Sequence, residues 1–281
     1  MTETTTSSTD VQVIDRVVIR FAGDSGDGMQ LTGTRFTAES ALFGNDLATL
    51  PEFPAEIRAP QGTLAGVSAF QVHISDHEIT TPGDAPSVLV AMNPAALKKE
   101  LPRLEDRGTI IANVDAFEER NLEKAGYETN PLEDGSLDGY TLFPIPITTL
   151  TSRALEDLDV KKRDAERSKN FFALGLISWM YSRPLGNTLD WIDGKFAKND
   201  KVRDANTVAL KAGHAFGETA ELFDHPYQVG PAEQEPGTYR SVNGATAIAW
   251  GMVASGQLAK LPVFLGSYPI TPATDTVSYT H

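Results

Sequence analysis

The feature that most constrains the fold is an apolar run followed at once by a glycine-rich turn near the start of the chain. Residues 17–21 are mostly β-branched or aromatic, which is typical of a buried strand. Gly23, Gly26 and Gly28 follow, and apolar residues then recur at roughly helical spacing from Met29 onwards. Glycine lets the backbone approach a ligand, and the amides at a helix start favour an anion. The stretch therefore predicts the first unit of a nucleotide-type α/β domain.

The spacing within this turn leaves its ligand open. It is Gly-x-x-Gly-x-Gly instead of the dinucleotide pattern Gly-x-Gly-x-x-Gly, because Ser25 stands where the second glycine would fall. Asp24 and Asp27 could cap the following helix, but their charges would repel a phosphate. A tight turn without a ligand is therefore an equal alternative. An NAD-dependent dehydrogenase is disfavoured further, because prolines interrupt the segment around Glu52, where the ribose-binding acid is expected.

Further apolar runs predict the rest of a sheet. Continuous runs are typical of strands buried on both faces, and alternating runs of half-buried strands. The predicted strands are residues 46–50, 67–75, 87–92, 108–114 and 140–145. The predicted fold is a Rossmann-like α/β domain with a parallel or mixed sheet flanked by helices.

The second half of the chain is predicted to be mostly helical. Residues 168–180 predict a buried helix, and residues 188–223 predict amphipathic helices. Residues 225–237 are rich in Pro and Gly without apolar periodicity, which indicates a linker. A helix at 244–256 and a strand at 262–265 follow. Because a segment of about 40 residues cannot bury a core alone, the chain is expected to be part of a longer protein.

Composition narrows the function. Acidic residues outnumber basic ones by 38 to 24, and the net charge of −14 disfavours a nucleic-acid partner. The absence of Cys excludes disulfides, thiolate nucleophiles and cysteine-held clusters within these residues. His73 and His77 do not share a helical face, so no metal site is predicted. No apolar run is long enough to cross a membrane, and residues 1–10 lack a targeting core, so a cytoplasmic protein is expected.

Two groups of residues resemble one enzyme family. Residues 268–275, Tyr-Pro-Ile-Thr-Pro-Ala-Thr-Asp, resemble the thiamine-pyrimidine-domain signature of 2-oxoacid:ferredoxin oxidoreductases. Residues 22–28, 54–58 and 169–170 resemble the gamma domain of the same enzymes. A gamma domain followed by a pyrimidine-binding domain is similar to the alpha subunits of the 2-oxoglutarate:ferredoxin oxidoreductases. The resemblance extends from about residue 17 to residue 275.

The resemblance implies a reaction that needs a second subunit. The implied reaction is the oxidative decarboxylation of 2-oxoglutarate with coenzyme A, which gives succinyl-CoA, CO₂ and reduced ferredoxin. Thiamine diphosphate with Mg²⁺ and a 4Fe-4S cluster would be held mainly by a partner beta subunit, and coenzyme A is a co-substrate. The expected assembly is a heterodimer or a dimer of heterodimers. Because the carboxylate that activates thiamine is expected downstream, this segment alone is expected to be inactive.

The resemblance also assigns site residues. Thr271 is the implied catalytic residue, in contact with the substrate carboxylate beside the cofactor, and Arg58 is an implied substrate contact. Tyr268, Pro269 and Ile270 are implied cofactor contacts, since a proline-stiffened loop can hold a hydroxyl donor in place. A rigid turn without a catalytic role is the alternative for this loop. The implied contacts to the nucleotide end of coenzyme A are Gly23, Ser25, Gly26, Gly28, Lys169 and Asn170.

The predicted domains follow from these assignments. They are a disordered tail (1–15), a gamma domain (16–185), a helical extension (186–224), the linker (225–237) and the truncated start of a thiamine-diphosphate-binding α/β domain (238–281). Two alternative functions are retained. One is a pyruvate or indolepyruvate enzyme of the same family, and the other is a stand-alone nucleotide-binding α/β domain.

Overall fold

The structure is a computed structural model that describes residues 11–54, 59–268 and 273–278. The chain divides into two compact units, Met1–Gln234 and Glu235–His281, which we call the first and second units. No helix within the described ranges is both long and apolar enough to cross a membrane.

The described part of the first unit contains strands and helices that alternate along most of its length. The strands are β1 (Gln12–Ile14), β2 (Arg16–Asp24), β3 (Asp46–Glu52), β4 (Val67–Ser75), β5 (Val88–Ala91), β6 (Thr109–Asn113), β7 (Thr141–Ile145) and β8 (Tyr227–Val229). The helices are α1 (Met29–Phe43), α2 (Pro94–Glu100), α3 (Glu119–Ala125), α4 (Ile147–Ala154), α5 (Lys162–Arg167), α6 (Lys169–Met180), α7 (Gly186–Lys195) and α8 (Asp200–Thr219).

Six of these strands form one mixed sheet in the order β3-β4-β2-β5-β6-β7. Strands β2, β5, β6 and β7 are parallel, whereas β4 runs antiparallel to both β2 and β3. The α/β class with a mixed sheet is therefore confirmed. In this order, the carboxyl ends of β2 and β5 lie side by side.

Alternate residues of the strands enter two separate apolar cores, because successive side chains of a strand point to opposite faces. Ile19 and Phe21 of β2 join a core that also contains residues of α1, α6 and α8. Ala22 of β2 and Leu89 of β5 join a second core with residues of α2 and α3. The sheet is thus covered by helices on both faces, as expected for parallel strands.

Helices α6 and α8 approach each other at two glycines. A Cβ atom at Gly175 would lie 2.0 Å from the carbonyl oxygen of Leu210, and one at Gly213 would lie 1.9 Å from that of Phe172. The predicted buried helix is observed as α6, and the predicted amphipathic segment is observed as α7 and α8. The absence of a side chain at both glycines allows the two backbones to come into contact.

Short parts of the predicted disordered tail and of the predicted linker form strands instead. Gln12–Ile14 pairs in parallel with Tyr227–Val229, so residues from each segment form a two-stranded sheet. Val229 is fully buried, and Tyr227 stacks on Tyr181 with 5.8 Å between the ring centroids. Strands of three residues are too short to show periodicity, and the apolar contacts that hold them come from distant parts of the chain.

The second unit contains α9 (Gly244–Ala259) and α10 (Ala273–Ser278) among its described residues. The N-terminus of α9 is capped by Asn243, whose Oδ1 accepts a hydrogen bond from the Thr246 amide at 2.8 Å. The predicted strand at 262–265 is wrong. These residues have no strand partner in the described chain and instead turn back on α9, where the Leu261 amide donates to the Gly256 carbonyl at 3.0 Å.

Candidate functional site

A cavity of about 510 Å³ opens at the carboxyl ends of β2 and β5. Its lining includes Gly26 from the turn after β2, and Asn93 and Pro94 at the start of α2. In open α/β sheets, ligands bind in the crevice outside the carboxyl ends of the strands. The volume is within the range of small-molecule and cofactor sites. We therefore treat this cavity as the candidate site.

The glycine turn beside the cavity is held by its own backbone and by close packing. The Asp27 amide donates to the Asp24 carbonyl, and the Asp24 amide donates to Asp27 Oδ2, both at 2.9 Å. Gly28 has a φ of 76°, which favours glycine, and a Cβ atom there would lie 2.5 Å from Asn170 Nδ2. A Cβ atom at Gly23 would lie 2.8 Å from Asp27 Oδ2. The conformation of the turn thus accounts for Gly23 and Gly28 without a ligand.

The carboxylate of Asp27 is occupied by three partners. Lys169 Nζ lies 2.8 Å from Asp27 Oδ1, and Asn93 Nδ2 donates to Oδ2 at 3.4 Å, in addition to the Asp24 amide. The expectation that the aspartates cap α1 is wrong, because Gly28 is the N-cap and no side chain makes a capping hydrogen bond there. Asp27 instead ties the turn to the starts of α2 and α6.

Asp24 fixes a second loop at the cavity. Its two carboxylate oxygens each accept a hydrogen bond from the Gly62 amide at 3.1 Å. Burial raises the pKa of the Asp24 carboxyl and the charge of Asp27 adds to this, although the Gly62 bond, Lys169 and Asn93 oppose it. Gln61 and Gly62 also line the cavity. The two aspartates therefore hold the walls of the site in place.

Basic side chains that the sequence reasoning missed form another part of the lining. Lys124 comes from α3, and Arg163 and Arg167 come from α5. Within the described ranges, none of the three has a carboxylate within the 4.0 Å ion-pair distance. Glu166 of α5 also lines the cavity. The spacing of Arg163 and Arg167, four residues apart, places both on one side of a helix and could have drawn attention to them.

The structure brings together only some of the predicted coenzyme A contacts. Gly26 and Lys169 line the cavity, whereas Gly23 and Gly28 pack beneath it as described above. Ser25 is exposed on the turn outside the lining of this cavity. Asn170 is buried with 5% of its surface exposed, and its Oδ1 accepts from the Phe171 amide at 2.9 Å.

The predicted residues for substrate and thiamine lie mostly outside the described ranges. This is the case for Arg58, Pro269, Ile270 and Thr271. Tyr268 is described, and 76% of its surface is exposed.

Comparison with known proteins gives consistent findings. The family model for pyruvate ferredoxin/flavodoxin oxidoreductase matches residues 18–216. The chain is 58% identical over 266 residues to the 2-oxoglutarate oxidoreductase subunit KorA of Mycobacterium tuberculosis, in a match that covers 95% of this chain and 41% of the relative. It also resembles the solved 2-oxoglutarate:ferredoxin oxidoreductase from Magnetococcus marinus, which has 2-oxoglutarate, coenzyme A and succinyl-CoA bound. That match has a TM-score of 0.70 and 26% identity, and covers 95% of this chain. The chain spans 41% of the length of each of these relatives.

Proposed function

The chain belongs to the pyruvate ferredoxin/flavodoxin oxidoreductase family, and we propose that it is part of a subunit of a 2-oxoglutarate:ferredoxin oxidoreductase. The proposed reaction joins 2-oxoglutarate and coenzyme A into succinyl-CoA, with release of CO₂ and a proton and transfer of the electrons to ferredoxin. The high identity to the KorA subunit supports 2-oxoglutarate as the substrate. The name of the matched family keeps pyruvate as the second candidate.

The cavity at the carboxyl ends of β2 and β5 is the structural observation that best supports this function. Its volume of about 510 Å³ and its basic side chains suit an anionic ligand with a nucleotide end. The Magnetococcus marinus relative binds coenzyme A, which has this chemistry. We therefore assign the cavity to coenzyme A. Gly26 and Lys169 would contact the ligand, whereas Gly23, Gly28 and Asn170 shape the turn and Ser25 flanks it.

The residues of this chain do not fit all cofactors of the proposed reaction. An iron–sulfur cluster is usually held by Cys, and these 281 residues contain none. Within the described ranges, no group of three or more His, Asp or Glu residues could hold a metal ion. We therefore propose that a beta subunit holds the cluster and most contacts to thiamine diphosphate and Mg²⁺. Thiamine diphosphate supplies the electron sink for decarboxylation when it is bound.

The first unit would then serve as the gamma domain together with its helical extension. The second unit would be the start of the pyrimidine-binding domain. There, Thr271 is the proposed catalytic hydroxyl, with Tyr268, Pro269 and Ile270 beside the cofactor. Arg58 is the proposed second contact to the substrate. The proposed enzyme works in the cytoplasm as an assembly of alpha and beta subunits.

A coupled assay tests this function. The full-length subunit should be co-expressed with its beta partner, and reduction of ferredoxin or a viologen dye should be followed with coenzyme A and each 2-oxoacid. We expect the fastest reduction with 2-oxoglutarate, and none from the isolated 281-residue chain. Faster reduction with pyruvate or indolepyruvate would transfer the assignment to the second candidate. No reduction with any 2-oxoacid would contradict the proposed activity.

A further inference from the structure

We propose that Lys124, Arg163 and Arg167 form the phosphate-binding part of the cavity, and that the glycine turn shapes the cavity without holding a phosphate. We call these three residues the basic triad. This inference rests on the proposed function, because coenzyme A supplies the phosphates. It moves the contacts to the nucleotide end of coenzyme A from the glycine turn and the start of α6, where the sequence predicted them, to α3 and α5.

The glycine turn is poorly suited to a phosphate. Asp24 and Asp27 place two carboxylates there. Lys169 Nζ lies 2.8 Å from Asp27 Oδ1, so the positive charge of Lys169 is already balanced by Asp27. A phosphate that approached Lys169 would have to displace Asp27 or share the lysine with it. Since like charges at close range repel, the acidic turn favours the uncharged part of a ligand.

The basic triad has the opposite character. Within the described part of the chain, no carboxylate lies within ion-pair distance of Lys124, Arg163 or Arg167. All three line the same cavity, although the chain has a net charge of −14. The cavity also carries the carboxylates of Asp24 and Asp27, but Asp27 is paired with Lys169, so the positive charge of the lining is concentrated at the triad. Positive charge concentrated in this way attracts an anionic ligand. Glu166 adds one negative charge to this part of the lining, so its positive charge is reduced but not cancelled.

The geometry connects the triad to the fixed walls of the site. A Cβ atom at Gly62 would lie 3.3 Å from Lys124 Cδ and 3.9 Å from its Nζ, so the lysine lies against this loop. The same Gly62 is held by the carboxylate of Asp24. A side chain at Gly62, which has a φ of 82°, would crowd Lys124. Asp24 therefore positions the loop that Lys124 covers.

The residue types indicate phosphate as the ligand group. The planar guanidinium of Arg forms paired hydrogen bonds with phosphate oxygens, and Lys contributes a compact charge. Coenzyme A carries a diphosphate and a 3′-phosphate at its nucleotide end, and its pantetheine arm is uncharged. We expect the triad to hold the phosphates, with the arm directed along the glycine turn.

Binding measurements on the 281-residue chain test this inference. Calorimetry should compare coenzyme A, dephospho-coenzyme A, pantetheine and inorganic pyrophosphate. We expect K124Q, R163Q and R167Q each to weaken coenzyme A binding about tenfold, as for the loss of one charge-assisted hydrogen bond. Pantetheine binding should not change. The wild-type affinity for coenzyme A should fall with ionic strength, and that of the triple variant should fall less.

A matched control removes a charge elsewhere. Lys211 is an exposed residue of α8 that does not line the cavity, and K211Q should bind coenzyme A as the wild type does. The triad side chains are exposed, so their replacement should leave the fold intact, which circular dichroism checks. In the assembled enzyme, R163Q should raise the KM for coenzyme A and leave kcat and the KM for 2-oxoglutarate unchanged.

The outcomes separate this inference from the proposed function. Normal binding of coenzyme A by all triad variants would overturn the inference and leave the proposed function intact. Binding of pyrophosphate that depends on the triad, without binding of coenzyme A, would support the phosphate site and contradict the coenzyme A assignment. If K211Q weakened coenzyme A binding as much as the triad variants do, the effect would be due to overall charge, and the inference of a phosphate site at the triad would be overturned.

Discussion

The two units bury their apolar residues to very different extents. In the first unit, side chains such as Phe21 and Leu89 are fully buried in the two cores on either face of the sheet. In the second unit, α9 and the residues after it leave large apolar side chains exposed, including Leu258 at 86% and Phe264 at 94%. Both units are rich in apolar residues, so the difference lies in what is available to cover them.

This contrast identifies the first unit as the self-sufficient part of the chain. A sheet with helices on both faces removes its apolar surface from water without help. A single apolar helix with a short return segment cannot do so, and exposed apolar patches of this kind mark interaction surfaces. We therefore expect changes within the first unit to affect stability strongly, and equivalent changes within the second unit to have little effect on the chain alone.

The largest expected effect comes from Gly213 of α8. A Cβ atom there would lie 1.9 Å from the Phe172 carbonyl oxygen, so G213A forces α6 and α8 apart. Because the clash is with backbone, small side-chain adjustments cannot relieve it. We expect the first unit to fail to fold, measured as loss of the cooperative urea transition. A wild-type transition in G213A would contradict the close contact of the two helices.

The next largest effect is expected at Arg20 in the first unit. Its side chain is fully buried, with Nε 2.6 Å from Glu100 Oε2, and it also pairs with Glu52. R20M removes the 2.6 Å partner of the buried Glu100 and leaves only Arg103, whose Nε lies 3.6 Å from Glu100 Oε2. The loss should cost about 3 kcal/mol of unfolding free energy, the low end of the range for a broken buried pair. Chemical denaturation measures this change. As a control, R203M removes pairs on the surface of α8 and should leave the midpoint unchanged.

A smaller, pH-dependent effect is expected from Glu52 at the end of β3. Burial would raise the pKa of its carboxyl, but the hydrogen bond and charge of Arg20, with the charges of Arg103 and Lys99, outweigh this and lower it. The folded form then binds fewer protons than the unfolded form. The stabilisation is present above the ordinary pKa of about 4.5 and is lost as the pH falls through the lowered value.

Denaturation across the acid range measures this contribution. The difference in unfolding free energy between wild type and E52Q should be largest near neutral pH and should shrink as the pH falls below about 4.5. E123Q, at an exposed position of α3, serves as the control and should follow the wild type. A constant difference between wild type and E52Q at every pH would contradict the lowered pKa.

The smallest expected effect is in the second unit, and it has the opposite sign. A Cβ atom at Gly251 in α9 meets nothing within 4 Å, in contrast to Gly213. G251A should therefore stabilise α9 by about 0.5 to 1 kcal/mol through the better helix propensity of Ala. Helicity by circular dichroism checks this. A loss of helicity would indicate that Gly251 is already packed in the isolated chain, and would remove the contrast between the units.

Local patterns were sufficient to predict most of the fold. The strand at β2, the turn and α1 follow from periodicity and glycine within one short segment. The same holds for β4, β5, β6 and α6, whose apolar runs are long enough to distinguish from loops. The β1–β8 pair was missed because each strand has three residues and depends on a distant partner. The strand predicted at 262–265 was wrong because an apolar run forms a strand only beside another strand.

The candidate site was predictable in place but not in its charges. The glycine turn and Lys169 indicated the carboxyl end of β2, and the cavity lies there. Lys124, Arg163 and Arg167 carry no local pattern that relates them to the turn, so sequence reasoning assigned the nucleotide end of coenzyme A to the glycine turn and to Lys169 and Asn170. The role of Asp27 was also open, because its partner Lys169 is far away in the chain.

The sequence alone determined the strands of the main sheet, the buried helix α6, the α/β class and the resemblance to an enzyme family, because these depend on short patterns and on motifs that stay together along the chain. Only the tertiary structure decided that Asp24 and Asp27 brace the walls of the cavity, and that α3 and α5 bring basic side chains to it. The physical reason is that charge pairs and close packing act through space, between residues that are brought together only when the sheet forms.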